Sequence, residues 1–124
     1  MLEKGLTNEI KLTVTDDKTA AALGSGLLEV FATPAMIAAM ENACAECVQP
    51  HLDMGQTTVG TLVNIRHTRA SGKGAEITVR SRLEEIDRRR LVFSVSAYDE
   101  KGLIGDGQHE RFIIDTEKFL AKLI

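Results

Sequence analysis

Residues 31–50, FATPAMIAAMENACAECVQP, decide how the rest of the chain must fold. Thr33 is a favoured helix N-cap, and Pro34 suits the first helical position because its φ is preset and no donor is lost there. Met36, Ile37, Met40, Cys44, Cys47 and Val48 recur at three- and four-residue steps, the spacing of one helical stripe. Ala35, Ala38, Ala39 and Ala43 let neighbouring backbone approach closely. Gln49-Pro50 ends the segment, so a helix is predicted from about 34 to 48. One residue does not suit a buried helix: Glu41, whose helical neighbours Ile37, Ala38, Cys44 and Ala45 are apolar. An uncompensated carboxylate there would cost several kcal/mol.

Around this helix the chain reads as strands. Ile10 to Thr15 alternates apolar and polar residues, as a half-buried strand does, and Gly24-Ser25-Gly26 marks an irregular or mobile approach to the helix. From Thr57 the pattern becomes long alternating runs. Val59, Thr61, Val63, Ile65 and His67 are expected on one face of a strand, with Gly60, Leu62, Asn64 and Arg66 on the other. Turns at Ser71–Gly74, Asp87–Arg89 and Lys101-Gly102 join it to three further strands, and Thr116–Leu123 closes with a short helix. Short turns demand antiparallel neighbours. The expected fold class is α+β: a curved antiparallel sheet of about five strands on one long helix, the hotdog architecture, in a single domain spanning 1–124. One helix cannot cover both faces and both edges of such a sheet, so a homodimer is expected, with further assembly into a tetramer left open.

The 124 residues are 44% hydrophobic and 27% charged, with a formal net charge of -3, which argues against a general nucleic-acid binder. No run approaches a membrane span and the first dozen residues lack a secretory pattern, so a cytoplasmic protein is the expectation. Cys44 and Cys47 form a lone CxxC inside the helix. With only His51 nearby as a further ligand, packed thiols are a better reading than zinc.

Thr33 as a plain cap, Glu41 as a salt-bridged surface acid and His67 as a satisfied border residue are each adequate accounts in isolation. His51 reads as a loop residue and His109 as a structural or interface residue. Arg66, Arg69 and Lys73 cluster around the turn after His67, while Arg88, Arg89 and Arg90 crowd a later one. Such charges either protect strand edges or receive an anionic ligand.

Taken together, Val30 to Lys118 resembles the fluoroacetyl-CoA thioesterase-like branch of the hotdog acyl-CoA thioesterases. The phrases that carry the likeness are VFAT at 30–33, Met36, Glu41, PHLDMGQTTVGT at 50–61, HT at 67–68, DRRRLVFSVSAYD at 87–99 and GQHERFIID at 107–115. The resemblance implies hydrolysis of an acyl-CoA thioester by Thr33, Glu41 and His67, with Gly60 lining the acyl site. CoA is then part of the substrate, and neither metal nor cofactor is expected. Phe31, Leu27, Ala35 and Met36 are the further acyl-site candidates, and Arg66, Arg69 and Lys73 the phosphate-binding ones. The backbone N–H groups of Ala35 and Met36, past Pro34, are the expected donors to the thioester oxygen.

Glu41 follows Thr33 by eight residues, about 12 Å along a helix, so the two should not meet at one carbon within a protomer. A composite site at a dimer interface is expected, with Glu41 orienting His67. One departure from the branch stands out: the phenylalanine lid expected before VFAT is replaced here by Leu23-Gly24-Ser25-Gly26-Leu27-Leu28. Its absence implies a short or medium acyl group other than fluoroacetyl. A hydroxyacyl dehydratase or a non-catalytic acyl-CoA-binding module are the alternatives on the same fold.

Overall fold

The computed structural model describes residues 1–124. Its long helix, α2 (Thr33–Val48), runs as expected and buries Met36, Ala39, Met40, Ala43, Cys44, Cys47 and Val48. Five strands cover it: β1 (Thr7–Thr13), β2 (Gln56–His67), β3 (Glu76–Asp87), β4 (Arg90–Asp99) and β5 (Gly102–Asp115). They form one antiparallel sheet in the order β1-β3-β4-β5-β2, so β1 and β2 are its edges. The core lies between α2 and one sheet face, where Ile77, Val79, Leu83, Leu91, Phe93 and Ile104 meet the helix stripe. Asn8 and Ser81 both donate to the Ala43 carbonyl, tying α2 to β1 and β3. This is the hotdog arrangement.

The turn at 71–74 was expected to make β2 and β3 antiparallel neighbours, but β2 pairs with β5 at one edge of the sheet while β3 lies between β1 and β4. Three further readings need correction. The first strand begins and ends earlier than the alternation at 10–15 indicated, and β1 faces the helix with Asn8, Ile10 and Leu12 through pairing with Ser81, Val79 and Ile77. The stretch before α2 carries a short helix, α1 (Ala20–Leu23), capped by Thr19, whose hydroxyl accepts from the Ala22 amide. Gly24 ends it at φ 72°, a left-handed position that glycine occupies without strain.

The third correction governs the site. Strand β2 is not a simple alternation, because a β-bulge at Thr61 puts an extra residue between Gly60, opposite Arg111, and Leu62, opposite Glu110. Gly60 and His67 were expected on opposite faces. The bulge shifts the phase, so Gly60, Val63, Ile65 and His67 share the face that looks toward α2.

Candidate active site

At the N-terminal end of α2, Thr33 Oγ1 lies 2.9 Å from His67 Nδ1. Thr33 is the first helical residue and Ala32 the N-cap, so the threonine hydroxyl does not cap the helix as expected; it is spent on the histidine. The first helical bond runs from the Met36 amide to the Ala32 carbonyl at 3.0 Å, which removes Met36 as a free donor. Thr33 and Ala35 carry the remaining amides ahead of that bond, since Pro34 has none.

His67 is held on its other side by the buried Phe31, whose ring meets it edge-on at 6.3 Å between centroids. Its Nε2 is buried and has no hydrogen-bond partner within the protomer. Burial, only partly offset by the Arg69 backbone, holds the ring below its ordinary value of 6.5, which keeps it neutral at pH 7 and able to accept a proton. With no carboxylate on Nε2 the ring is expected to titrate below 6.5, so in the Glu41→Gln protein an NMR titration of His67 should fall below that value, and a value above it would contradict the burial.

Glu41 is half-buried midway along α2, against Gly60 in the first half of β2. A Cβ built on Gly60 would stand 2.8 Å from Glu41 Oε2, 3.2 Å from His109 Cε1 and 3.4 Å from Arg111 Nη1, so glycine is what lets these groups converge. Gly60 and His67 are separated by about 20 Å of strand at ~3.3 Å per residue, and Glu41 does not touch His67 within one protomer. None of the eight ion pairs uses Glu41. Arg111, buried beside it, was missed from sequence; the only hint was an arginine at a core-facing position of β5, two residues after His109.

A cavity of about 260 Å³ opens on the Thr33–His67 pair, walled by Ala20, Ser25, Val30 and Phe31 from the segment before α2. Leu27 lies outside that wall and is 95% exposed. Met36 is fully buried, packed where a Cβ on Gly105 would strike its sulfur, so its side chain belongs to the core. Ala35 is half-buried at the helix end. A larger groove of about 830 Å³ lies across the outer sheet face among Glu9, Arg80, Arg82, Ser94 and Gln108, away from Thr33, Glu41 and His67.

The basic cluster is largely neutralised. Arg69 Nη2 sits 2.7 Å from Asp99 Oδ1, and Lys73 lies 3.3 Å from Glu29 and 3.5 Å from Asp16. Arg66 has no acidic partner, but it alternates with His67 and projects from the opposite face of the sheet, beside Asp106. Arg88, Arg89 and Arg90 pair with Asp87, Asp115 and Glu110. The cysteines are packed and unbridged, with burial pushing the Cys44 thiol up to about 12, which leaves it unreactive.

With a helix-end threonine bonded to a buried histidine, and a glutamate set against a glycine at a strand bulge, the match of residues 14–117 to the model of the fluoroacetyl-CoA-specific thioesterases, FlK, is decisive. The chain belongs to that family. It is a thioesterase on the hotdog fold. The fluoroacetyl-CoA thioesterase of Streptantibioticus cattleyicolor is 43% identical over 95 residues, 77% of this chain and 68% of that one. The solved structure of the fluoroacetyl-CoA thioesterase FlK superposes with a TM-score of 0.94 at 36% identity, covering 99% of this chain and 96% of that one. A Thermus thermophilus member of the thioesterase superfamily gives 0.91 at 30% identity, over 99% and 91%. No helix here is long and apolar enough to cross a membrane.

Proposed function

We propose that this thioesterase hydrolyses a short or medium acyl-CoA, with Thr33, His67 and Glu41 as the catalytic set and Glu41 supplied by a second protomer. The observation that carries the reading is the buried, unpartnered His67 Nε2 beside the 2.9 Å bond to Thr33. If Nδ1 accepts the Thr33 hydroxyl proton, Nε2 bears the ring's hydrogen and needs an acceptor; a carboxylate is the acceptor that orients the ring and stabilises the imidazolium.

A dimer through β2 supplies it. This edge strand is 12 residues long and exposes Leu62 and Val63 along an unpaired edge. Antiparallel pairing of two copies about an axis near Val63–Asn64 sets Gly60 of one protomer opposite His67 of the other, and Glu41 travels with Gly60. His67 then takes the proton of the attacking oxygen, Thr33 Oγ1 or a water beside it. The helix-end amide of Ala35 faces the developing oxyanion, worth roughly 3 kcal/mol for one good donor.

The acyl group occupies the cavity walled by Phe31, closed across the interface by Gly60 of the second protomer, with Leu27 and its neighbours as the gate. CoA phosphates are received at the turn after His67, by Arg69 at the mouth of the cavity and Lys73 beside it, while Arg66 points from the other face of the sheet. The absent aromatic lid argues against fluoroacetyl selectivity. On a panel of acetyl-, fluoroacetyl-, branched and aromatic acyl-CoAs, followed by CoA release with a thiol reagent, fluoroacetyl-CoA is expected within about tenfold of acetyl-CoA in kcat/KM. A strong preference for it would refute the assignment of the gate. Tight CoA binding without turnover of any member would refute the hydrolase.

A further inference from the structure

Behind Gly60, three buried polar side chains take no part in the reaction just described, and their hydrogen bonds leave one of them a single protonation state. His109 is fully buried on β5, its ring stacked on Phe93. Its Nδ1 lies 2.7 Å from the Leu62 carbonyl oxygen, which can only accept, so Nδ1 carries the hydrogen. Arg111 Nη1 stands 3.1 Å from the other ring nitrogen, and a guanidinium can only donate, so Nε2 is the acceptor. The ring is a neutral imidazole protonated on Nδ1. Arg111 also donates from Nε to Thr58 Oγ1 at 2.8 Å and from Nη2 to the Thr58 carbonyl at 3.0 Å. Two of its five N–H groups remain, and Glu41 is the carboxylate beside them.

Each bond of His109 has its own consequence. Leu62 follows the bulged residue, so the bond to its carbonyl holds the irregularity that gives Gly60 and His67 a common face. The bond from Arg111 fixes the turn of a guanidinium whose positive charge Glu41 shares without an ion pair. We propose that His109 is a positioning residue of the thioesterase site, pinning the β2 bulge through Leu62 and aiming Arg111 at Glu41. This rests on the reading of Glu41 as a catalytic carboxylate. A second proton on the ring would set an N–H against the guanidinium; burial and Arg111 oppose it, against the Leu62 carbonyl, Glu41 and Glu110, which favour it.

The two halves of the role separate by substitution. In His109→Asn the amide nitrogen can replace the Nδ1 donor but nothing accepts from Arg111, whereas in His109→Gln the amide oxygen can replace the Nε2 acceptor but Leu62 is released. Each folded variant is expected to lose kcat by about 100-fold, with KM for the same acyl-CoA within about threefold. Placed in a Glu41→Gln background, His109→Asn, which keeps the bond to Leu62, should lower the residual rate by no more than about threefold, because the Arg111 half of the role acts through Glu41. Parent kcat in both folded variants, or a His109→Asn loss that multiplies in that background, would overturn the proposal. Should neither variant fold, 15N NMR of the imidazole in the wild-type protein decides: a protonated Nδ1 with a bare Nε2 supports it, and the opposite tautomer or an imidazolium at neutral pH sinks it. Failure of the underlying reading is distinguishable, since Glu41→Gln alone would then keep the parent rate.

Discussion

Mixing two inactive variants restores activity: Glu41→Ala and His67→Ala, each expected to lose roughly 10²- to 10⁴-fold in kcat, regain about a quarter of the wild-type rate when co-refolded in equal amounts. In a mixed dimer the protomer carrying Glu41→Ala still owns an intact Thr33–His67 pair, and its neighbour still owns an intact Glu41. One of the two composite sites is then whole. Half of the dimers are mixed at random assortment and each has one working site of two, hence about a quarter. A site confined to one protomer predicts no recovery, because neither chain carries both residues. The separation of Glu41 and His67 by about 20 Å of strand makes recovery the expected result. Activity of separately folded variants, mixed after assembly, gives the baseline.

Gly60→Ala is expected to fold and to fail as a catalyst. The added methyl would meet Glu41 Oε2 at 2.8 Å, His109 Cε1 at 3.2 Å and Arg111 Nη1 at 3.4 Å. All three are side-chain atoms, and the tightest belongs to the free end of a glutamate, so the carboxylate yields before the backbone does. Displacement by about 1 Å is enough to cost on the order of 100-fold in kcat. The midpoint of chemical denaturation should move little by comparison, since the added methyl meets only side-chain ends and no core contact is lost. Loss of folding together with activity, or retention of both, would each contradict a carboxylate seated against that glycine.

The helix and the β3–β4 and β4–β5 hairpins were legible because their signals are local; the pairing of β2 with β5 was not, because it is set by contacts far apart in the chain. Thr33-Pro34, the apolar stripe and Gln49-Pro50 mark α2 to within a residue, and short polar turns between alternating runs leave little choice but an antiparallel sheet. Thr33 illustrates what was not legible: a threonine before proline reads as a cap, and only the return of β2 to the helix end gives its hydroxyl a histidine to bond instead. The bulge was invisible for a related reason. An alternation of Val59, Thr61, Val63 and Ile65 looks unbroken, and the extra residue becomes apparent only against the count of β5. Arg111 was missed because an arginine in a polar-looking GQHERF reads as solvent-facing until Thr58 and His109 are placed around it. The basic turn was read too generously: counting Arg69 and Lys73 without Asp99, Glu29 and Asp16 overstated the charge available to a phosphate.

Thr61 itself offers little that another side chain could not supply, since its hydroxyl makes one exposed contact with the Glu110 carbonyl at 3.2 Å. What matters is that a residue is there at all. The count between Gly60 and His67 acts as a gear tooth, and removing one would rotate the far half of the strand by half a turn, sending the histidine to the solvent face while leaving every hydrophobic residue of the helix in place. Diversification of this strand can therefore proceed by exchange of residues at position 61 but not by change of length. Changes of length can be absorbed only in the turns, which do not set its phase.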